Sequence, residues 1–444
     1  MAYDFKKLDE IVKLIAEKYF VDLSSEKVGT KKVENWKVLM GAFSGISNRN
    51  TLLMGNPGSG KTTYSGVISS LLTGLPFDLY DFEKIQGHPD QTKDTMLARA
   101  DLGRLHEEGV VWQAAAHLPA LTLDELNRLP PGKQSIFLEY IRTGAIEHLG
   151  KYFSRGKVPV FATMNYNGTG TYPVPAPSLD RFDISLEFPV GAAFVQNDIR
   201  AASRQIKNDL TNPEMTEEVI KKIMEKDVSL KDKLDFLKAK SKENLKKKGM
   251  PSIEPINEEE LDAKPYTADA DCYMRCIFDE INTPYRYGEN RSVDPRDSSE
   301  HNKTFASSKV LHSVSPRFWD SVRFYASILA HFMNSDKVEV EHVKAVAPYC
   351  LAHRTDFSPD YEAKFAESPR LQGERKEMDL SRRILKEVKD NYDKIADDVK
   401  LLDNYLQNSG NVDAPTKRRV ETFLKGPVPD HPTLRSYYKL AKDM

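Results

Sequence analysis

Apolar positions along the 444-residue chain switch between two periods, and the switches lay out its elements. Leu8, Ile11, Val12, Ile15, Ala16 and Tyr19 recur at helical spacing and predict an amphipathic helix near the start, and residues 31–44 read as a second helix. Thr51–Met54 is a short apolar run that ends at Gly55, ahead of a helix-compatible stretch, Thr62–Leu72. The segments FDLYDFEKIQGHPDQTKD and GVVWQAAAHLPALTL are expected to supply strands and connecting loops, the second running into an acid pair, Asp124 and Glu125. Pro131 suits a helix start, with Ile136, Phe137, Tyr140 and Ile141 on one face and Gly144 as the stop. AIEHLGKYFSRGKVPVFATMN then reads as a hairpin around Gly150 and a buried strand ending at Asn165. Strands alternating with helices predict a parallel α/β sheet.

Composition shifts after Pro189. Residues 205–255 are rich in Lys and Glu, including KAKSKENLKKKG, and read as a charged helical insert with one solvated face. NRSVDPRDSSEHNKTFAS, residues 290–308, reads as a flexible loop. Helical spacing resumes at Ser315, with Val322, Tyr325, Ala326, Leu329 and Phe332 on one face, then Val343, Val346, Ala347, Cys350 and Leu351. Leu385, Val388, Tyr392, Ile395, Val399, Leu402 and Leu406 alternate steps of three and four. Such a seam fits either a coiled-coil-like helix or a long helix laid on the chain's own helical domain.

The length allows two or three domains. With 64 basic and 66 acidic residues, global charge favours no class of partner. No N-terminal stretch resembles a signal peptide and no apolar run approaches a membrane span, so the chain reads as soluble and cytoplasmic. Cys272, Cys276 and Cys350 are too few for a disulfide framework or a four-cysteine zinc site, and core packing is the expectation for the helical pair Cys272 and Cys276.

Chemistry enters at Gly55. GNPGSGKTT, residues 55–63, has the spacing GxxxxGK[ST] of a phosphate-binding loop. In such a loop backbone N–H groups of Gly55, Asn56, Gly58, Ser59 and Gly60 and the start of the next helix would cradle phosphate, with Pro57 contributing shape alone. Lys61 would reach the terminal phosphates, and Thr62, followed by Thr63, would offer its hydroxyl to Mg²⁺. The acid pair fits the same site: Asp124 would hold Mg²⁺, and Glu125 would orient and activate the attacking water. The competing expectation is that both acids merely cap the helix beginning near Pro131.

GNPGSGKTT, LTLDELNRLPPGKQSIFLEYI, VFATMNYNGTGTYPVPAPSLDRFDISLEF, SVSPRFW and VEVEHVKAVAPYCLAHR occur in an order that resembles the MoxR family of AAA+ ATPases, over residues 30–190 and 256–357. The resemblance implies an AAA+ α/β core with a parallel sheet (31–190) and an α-helical lid domain (256–370), to which the apolar and charged patterns add an N-terminal helix (1–30), a connection with the charged insert (191–255) and a helical C-terminal extension (371–444). It also implies ATP and Mg²⁺ as ligands and self-association into a ring that is usually a hexamer. Asn165 matches the family's γ-phosphate sensor, Arg181 of LDRF its arginine finger, and Arg317 of SPR its lid arginine. Remodelling of protein complexes, with a partner bearing a von Willebrand factor A domain, is the implied work. The pore-lining segment matches only loosely, and the insert and everything after about residue 370 lie outside the resemblance. A nucleic-acid motor is the alternative, supported by the Lys-rich insert alone. A switch GTPase is disfavoured because no NKxD-type segment is present, and a binding-only site because Lys61, Asp124 and Glu125 are all in place.

Overall fold

The computed structural model describes residues 3–89, 98–100, 110–148, 150–166, 170–189, 195–225, 228–256, 259, 261, 264–282, 304–370 and 374–443. The chain divides into two compact units, residues 1–27 with 31–260 and residues 28–30 with 261–444.

The first unit is built on five strands: β1 (Asn50–Gly55), β2 (Ile85–Gln86), β3 (Leu121–Asp124), β4 (Val160–Asn165) and β5 (Ile184–Phe188). They pair in the order β5-β1-β4-β3-β2, every pair parallel. Both faces of a parallel sheet must be covered, which is why these strands are near-continuous apolar runs. Leu52, Leu121, Leu123, Val160 and Ala162 share one core with Phe137, Leu138 and Phe182. Register then decides what meets at the edge: Asn165 lies beside Gly55, and Gln86 beside Asp124. All four residues stand at carboxyl ends of strands, where open α/β sheets gather their functional groups.

The helices of this unit are α1 (Phe5–Leu14, continued by a π turn to Tyr19), α2 (Trp36–Ile46), α3 (Lys61–Thr73), α4 (Phe77–Phe82), α5 (Pro131–Thr143), α6 (Ala176–Leu179), α7 (Gln196–Asp209), α8 (Pro213–Met224) and α9 (Leu230–Lys248). The expected helix over 31–44 is corrected: Lys31–Glu34 instead pairs with Ser25–Val28 as a hairpin, and α2 begins only at Trp36. Asn35, at φ 54°, separates the two, because a left-handed residue cannot continue a right-handed helix backwards. Phe77–Phe82, grouped with strands and loops on sequence, is helical and turns Leu79 and Tyr80 inward while Phe82 stays exposed. Val110–Trp112 pairs antiparallel with Ala98–Ala100 outside the main sheet. Much of the loosely matching pore segment lies outside the described residues. Helix α5 starts at Pro131 and stops at Gly144 as expected, and the hairpin around Gly150 joins Ala145–His148 to Lys151–Ser154.

The charged insert is integral to this unit. Met215, Val219, Ile223 and Leu237 pack with Leu75, Leu79, Tyr80, Ala114 and Leu118, and Asn244 donates to the Gly74 carbonyl at 2.8 Å. Lys238, Lys242, Lys246 and Lys247 are exposed, which is the solvated face.

The second unit is helical: α10 (Ala268–Asn282), α11 (Pro316–Phe332), α12 (Val340–Leu351), α13 (Pro359–Lys364), α14 (Lys376–Gln407), α15 (Ala414–Leu424) and α16 (Pro432–Asp443). All three cysteines are buried and free. Most of the loop 290–308 lies outside the described residues; Ala306–Ser308 is a short 3-10 turn. Of the two readings of the seam, the structure supports the second. Leu385, Val388, Tyr392, Val399 and Leu402 are buried as α14 packs on α10, α12 and α16 within the same unit. No helix among the described residues is long and apolar enough to cross a membrane.

A consequence is that the segment after residue 374 is core to the second unit. Five buried apolar side chains at about 1.5–3 kcal/mol each amount to roughly 10 kcal/mol, comparable to the stability of a whole domain. Deleting residues 375–444 is therefore expected to unfold α10 as well, read as loss of amide-exchange protection across 268–282, while the first unit keeps nucleotide binding. Retained protection in α10 would show that α14 does not hold it.

Candidate nucleotide site

Strand β1 passes directly into the glycine-rich loop, and α3 begins at Lys61. Gly55 cannot carry a side chain, since a Cβ there would collide with the Phe188 carbonyl and Ser59 Oγ. Asn56, Pro57 and Gly58 are exposed at the loop's tip, and Ser59, Gly60, Thr62 and Thr63 are half-buried. The loop and the first turn of α3 thus offer N–H groups and a positive helix end to an anion.

Lys61 turns inward. Its Nζ donates to Gly55 O at 2.9 Å, Asn56 O at 2.8 Å and Asn165 Oδ1 at 3.1 Å. Burial pulls its pKa below the ordinary lysine value, opposed by the charges of Asp124 and Glu125. Because these hydrogen-bond partners are neutral oxygens, no bonded carboxylate uses up the ammonium's charge, which stays available to an anion in the loop.

The acid pair is split by its backbone. Asp124 is the last residue of β3, and Glu125 sits in the left-handed region at φ 56° and ψ 51°. Such a conformation is costly for a non-glycine residue and persists only where the surroundings impose it. Here the Glu125 N–H donates to Thr163 Oγ1 at 2.9 Å, and Gly87 N–H donates to Asp124 O at 2.7 Å. Gly87 must lack a side chain, because a Cβ would run into the Glu125 carbonyl.

The turn sends the two carboxylates to different partners, which answers how adjacent acids coexist. Asp124 Oδ1 accepts from Thr62 Oγ1 at 2.9 Å and Thr163 Oγ1 at 2.6 Å. Glu125 Oε1 accepts from Asn165 Nδ2 at 2.9 Å, while Oε2 faces Arg128 Nε at 3.1 Å and Gln86 Nε2 at 3.4 Å. Neither acid caps α5, whose first turn holds no acidic residue and whose start has no side-chain cap. Asn165 is fixed in turn by Asn127, whose Nδ2 donates to Asn165 O at 2.8 Å.

Sequence reasoning gave no role to Thr163, Asn127, Arg128, Gln86 or Gly87. DELNR was in view for Asn127 and Arg128, but nothing in one sequence reveals that Thr163 faces Asp124, which depends on the β3–β4 register.

Residues 50–182 match the family model of the AAA domain, dynein-related subfamily. These residues form an AAA domain. A crystal structure of a protein from Cytophaga hutchinsonii, provisionally described as an ATPase, is similar in fold at 18% identity, with a TM-score of 0.55 over 87% of this chain and 94% of that one. No curated protein matches the chain in sequence. The fold is thus an AAA+ core with a parallel sheet, followed by a largely helical part.

The AAA domain brings Lys61, Thr62, Asp124, Glu125 and Asn165 into one hydrogen-bonded network. Its Arg181 stands apart. The Arg181 carbonyl accepts from Asn50 Nδ2 at 3.2 Å, and Asp183 pairs with Arg49 at 3.0 Å, which fixes this segment at the start of β1. Six residues of strand place the loop edge about 17 Å away. Among the described residues Arg181 has no hydrogen bond or ion pair to the network, and its Nη1 is buried without a partner. Arg317 belongs to the second unit, near the start of α11, where its N–H donates to Ser315 Oγ at 3.1 Å.

Thr62 and Asp124 present adjacent hard oxygen atoms, the donor type that suits Mg²⁺. Beside the loop, the Phe20 ring lies where a Cβ on Gly60 would touch it at 3.6 Å, and a 460 Å³ cleft opens against Phe20, Asp22 and Leu23. That volume suits a small ligand.

Proposed function

We propose that the chain is a MoxR-like AAA+ ATPase that hydrolyses ATP in an oligomeric ring, usually a hexamer in that family, to remodel or assemble protein complexes. The observation that carries the ATPase reading is the unbroken polar path from Lys61 through Asn165 to Glu125, with Thr62 and Asp124 alongside.

In this reading the loop from Gly55 to Thr63 holds the phosphates and Lys61 neutralises the terminal ones. Thr62 and Asp124 would hold Mg²⁺, whose charge stabilises the phosphate oxygens during transfer. Glu125 orients the attacking water and draws off its proton, with Asn165 keeping the carboxylate and the γ-phosphate in line. Arg181, too far from its own loop, serves a neighbouring subunit's phosphate, and Arg317 acts on nucleotide from the helical unit. Protein clients, and a partner with a von Willebrand factor A domain, follow from the resemblance. A nucleic-acid motor draws only on the exposed lysines of α9, which share that helix with exposed Asp235 and Glu243; a salt-dependent affinity for DNA would favour it.

Phosphate release from ATP, measured with and without Mg²⁺, tests the reading. Lys61→Ala is expected to lose ATP binding, because the point charge on the terminal phosphates disappears. ATP bound and hydrolysed at the parent rate by that variant would overturn it.

A further inference from the structure

Within the second unit, three side chains of different chemistry converge on one buried point. Cys276 and Glu280 lie one helical turn apart on α10, and His431 immediately precedes α16. Cys276 and Glu280 are fully buried and His431 is 8% exposed. Cys276 Sγ is 3.7 Å from Glu280 Oε1 and 3.7 Å from His431 Nε2, and His431 Nε2 is 3.0 Å from Glu280 Oε1. We propose that Cys276, Glu280 and His431 form a structural binding site for a zinc-class divalent cation that ties α16 to α10.

Ligand type and spacing both fit. Zinc takes thiolate at about 2.3 Å and imidazole or carboxylate at about 2.0–2.2 Å, so tetrahedral ligand atoms stand roughly 3.3–3.6 Å apart. The observed triangle reaches that shape with shifts of about 0.3 Å or less. Three protein ligands leave one of the four tetrahedral positions to a further ligand.

The outer contacts also suit a metal ligand. Glu280 Oε2 accepts from the Ala306 N–H at 3.2 Å, and Asn391 Nδ2 lies 3.3 Å from both carboxylate oxygens. The Ala306 bond holds Oε2 alone, and Asn391 steadies the carboxylate as a whole, the support that ligating carboxylates generally receive.

A Cys-His-acid relay is the competing chemistry, and the atoms do not match it. A relay places the thiol on one ring nitrogen and the acid on the other. Here both face Nε2, while Nδ1 is buried without a partner among the described residues. Burial, reinforced by the Glu280 charge, pushes the Cys276 thiol well above its ordinary pKa, so it is no free nucleophile. A bound cation reverses that effect, because a coordinating thiol gives up its proton. Metal uptake is therefore expected to release a proton and to weaken as pH falls.

The test uses the full chain, stripped with a chelator under reducing conditions and titrated with Co²⁺ in excess Mg²⁺. One equivalent should bind with an intense near-ultraviolet sulfur-to-cobalt band and be displaced by Zn²⁺. Cobalt at Thr62 and Asp124 would meet only oxygen and give no such band, so the ATPase reading stands or falls separately. Cys276→Ser should abolish the band and Cys272→Ser should keep it. His431→Gln should weaken binding by upward of about 100-fold, beyond the cost of outer-contact changes. Absence of the sulfur band in the folded parent chain, which needs no variant, overturns the site. So does a band that survives Cys276→Ser.

Discussion

Glu125→Gln is expected to bind ATP like the parent chain and to hydrolyse it about 10²- to 10⁴-fold more slowly, the usual span for a lost general base. The substitution keeps size and shape. It leaves Lys61 with its neutral oxygen partners and Asp124 with Thr62 and Thr163. The amide can still meet Asn165 through its oxygen, and the left-handed backbone at this position costs glutamine and glutamate alike. What disappears is the ability to accept a proton from water. Nucleotide affinity by equilibrium titration and phosphate release in one reaction cycle separate the two effects. Unchanged turnover would remove Glu125 from the chemistry, and lost binding would show that its charge shapes the phosphate site instead.

The parts of this site legible in the sequence are those whose chemistry is local. The glycine spacing before Lys61 and the apolar runs ending at Gly55, Asp124 and Asn165 need only a strand and its following turn, and the strands end at those residues. Thr163 and Asn127 escaped because their roles are long-range: a threonine in an apolar strand becomes a partner of Asp124 only when β4 lies against β3. Residues 31–34 misled because their polar pattern has no helical or strand period of its own, so the break set by Asn35 was invisible. The heptad seam of α14 was read correctly as apolar, yet spacing alone cannot say which surface covers it. Cys276 shows the same limit more sharply. Its distance from His431 is 155 residues in sequence and 3.7 Å in space, and no local pattern announces the pair.

Arg181→Ala is expected to bind ATP normally and to hydrolyse it about 10³- to 10⁵-fold more slowly, the range seen when an arginine supplied in trans is lost. Geometry motivates the trans assignment. Arg181 stands by the amino end of β1, whereas Gly55, Asp124 and Asn165 stand at carboxyl ends, about 17 Å along the strand. An arginine side chain cannot span that length to its own phosphate loop. Its Nη1, buried without a partner among the described residues, is also costly to keep unless assembly gives it one. Specific activity should then rise with protein concentration until subunits associate. The decisive measurement mixes Arg181→Ala with Glu125→Gln, each inactive alone. In a mixed assembly some interfaces join an intact Glu125 on one subunit to an intact Arg181 on the next, so hydrolysis should return. If mixtures shown to co-assemble stay inactive, Arg181 does not act across a subunit boundary. The substitution keeps the Arg181 carbonyl that Asn50 bonds and the Arg49–Asp183 pair, so any loss of activity would then reflect the removed side chain within its own subunit, read as a changed melting temperature of nucleotide-free Arg181→Ala.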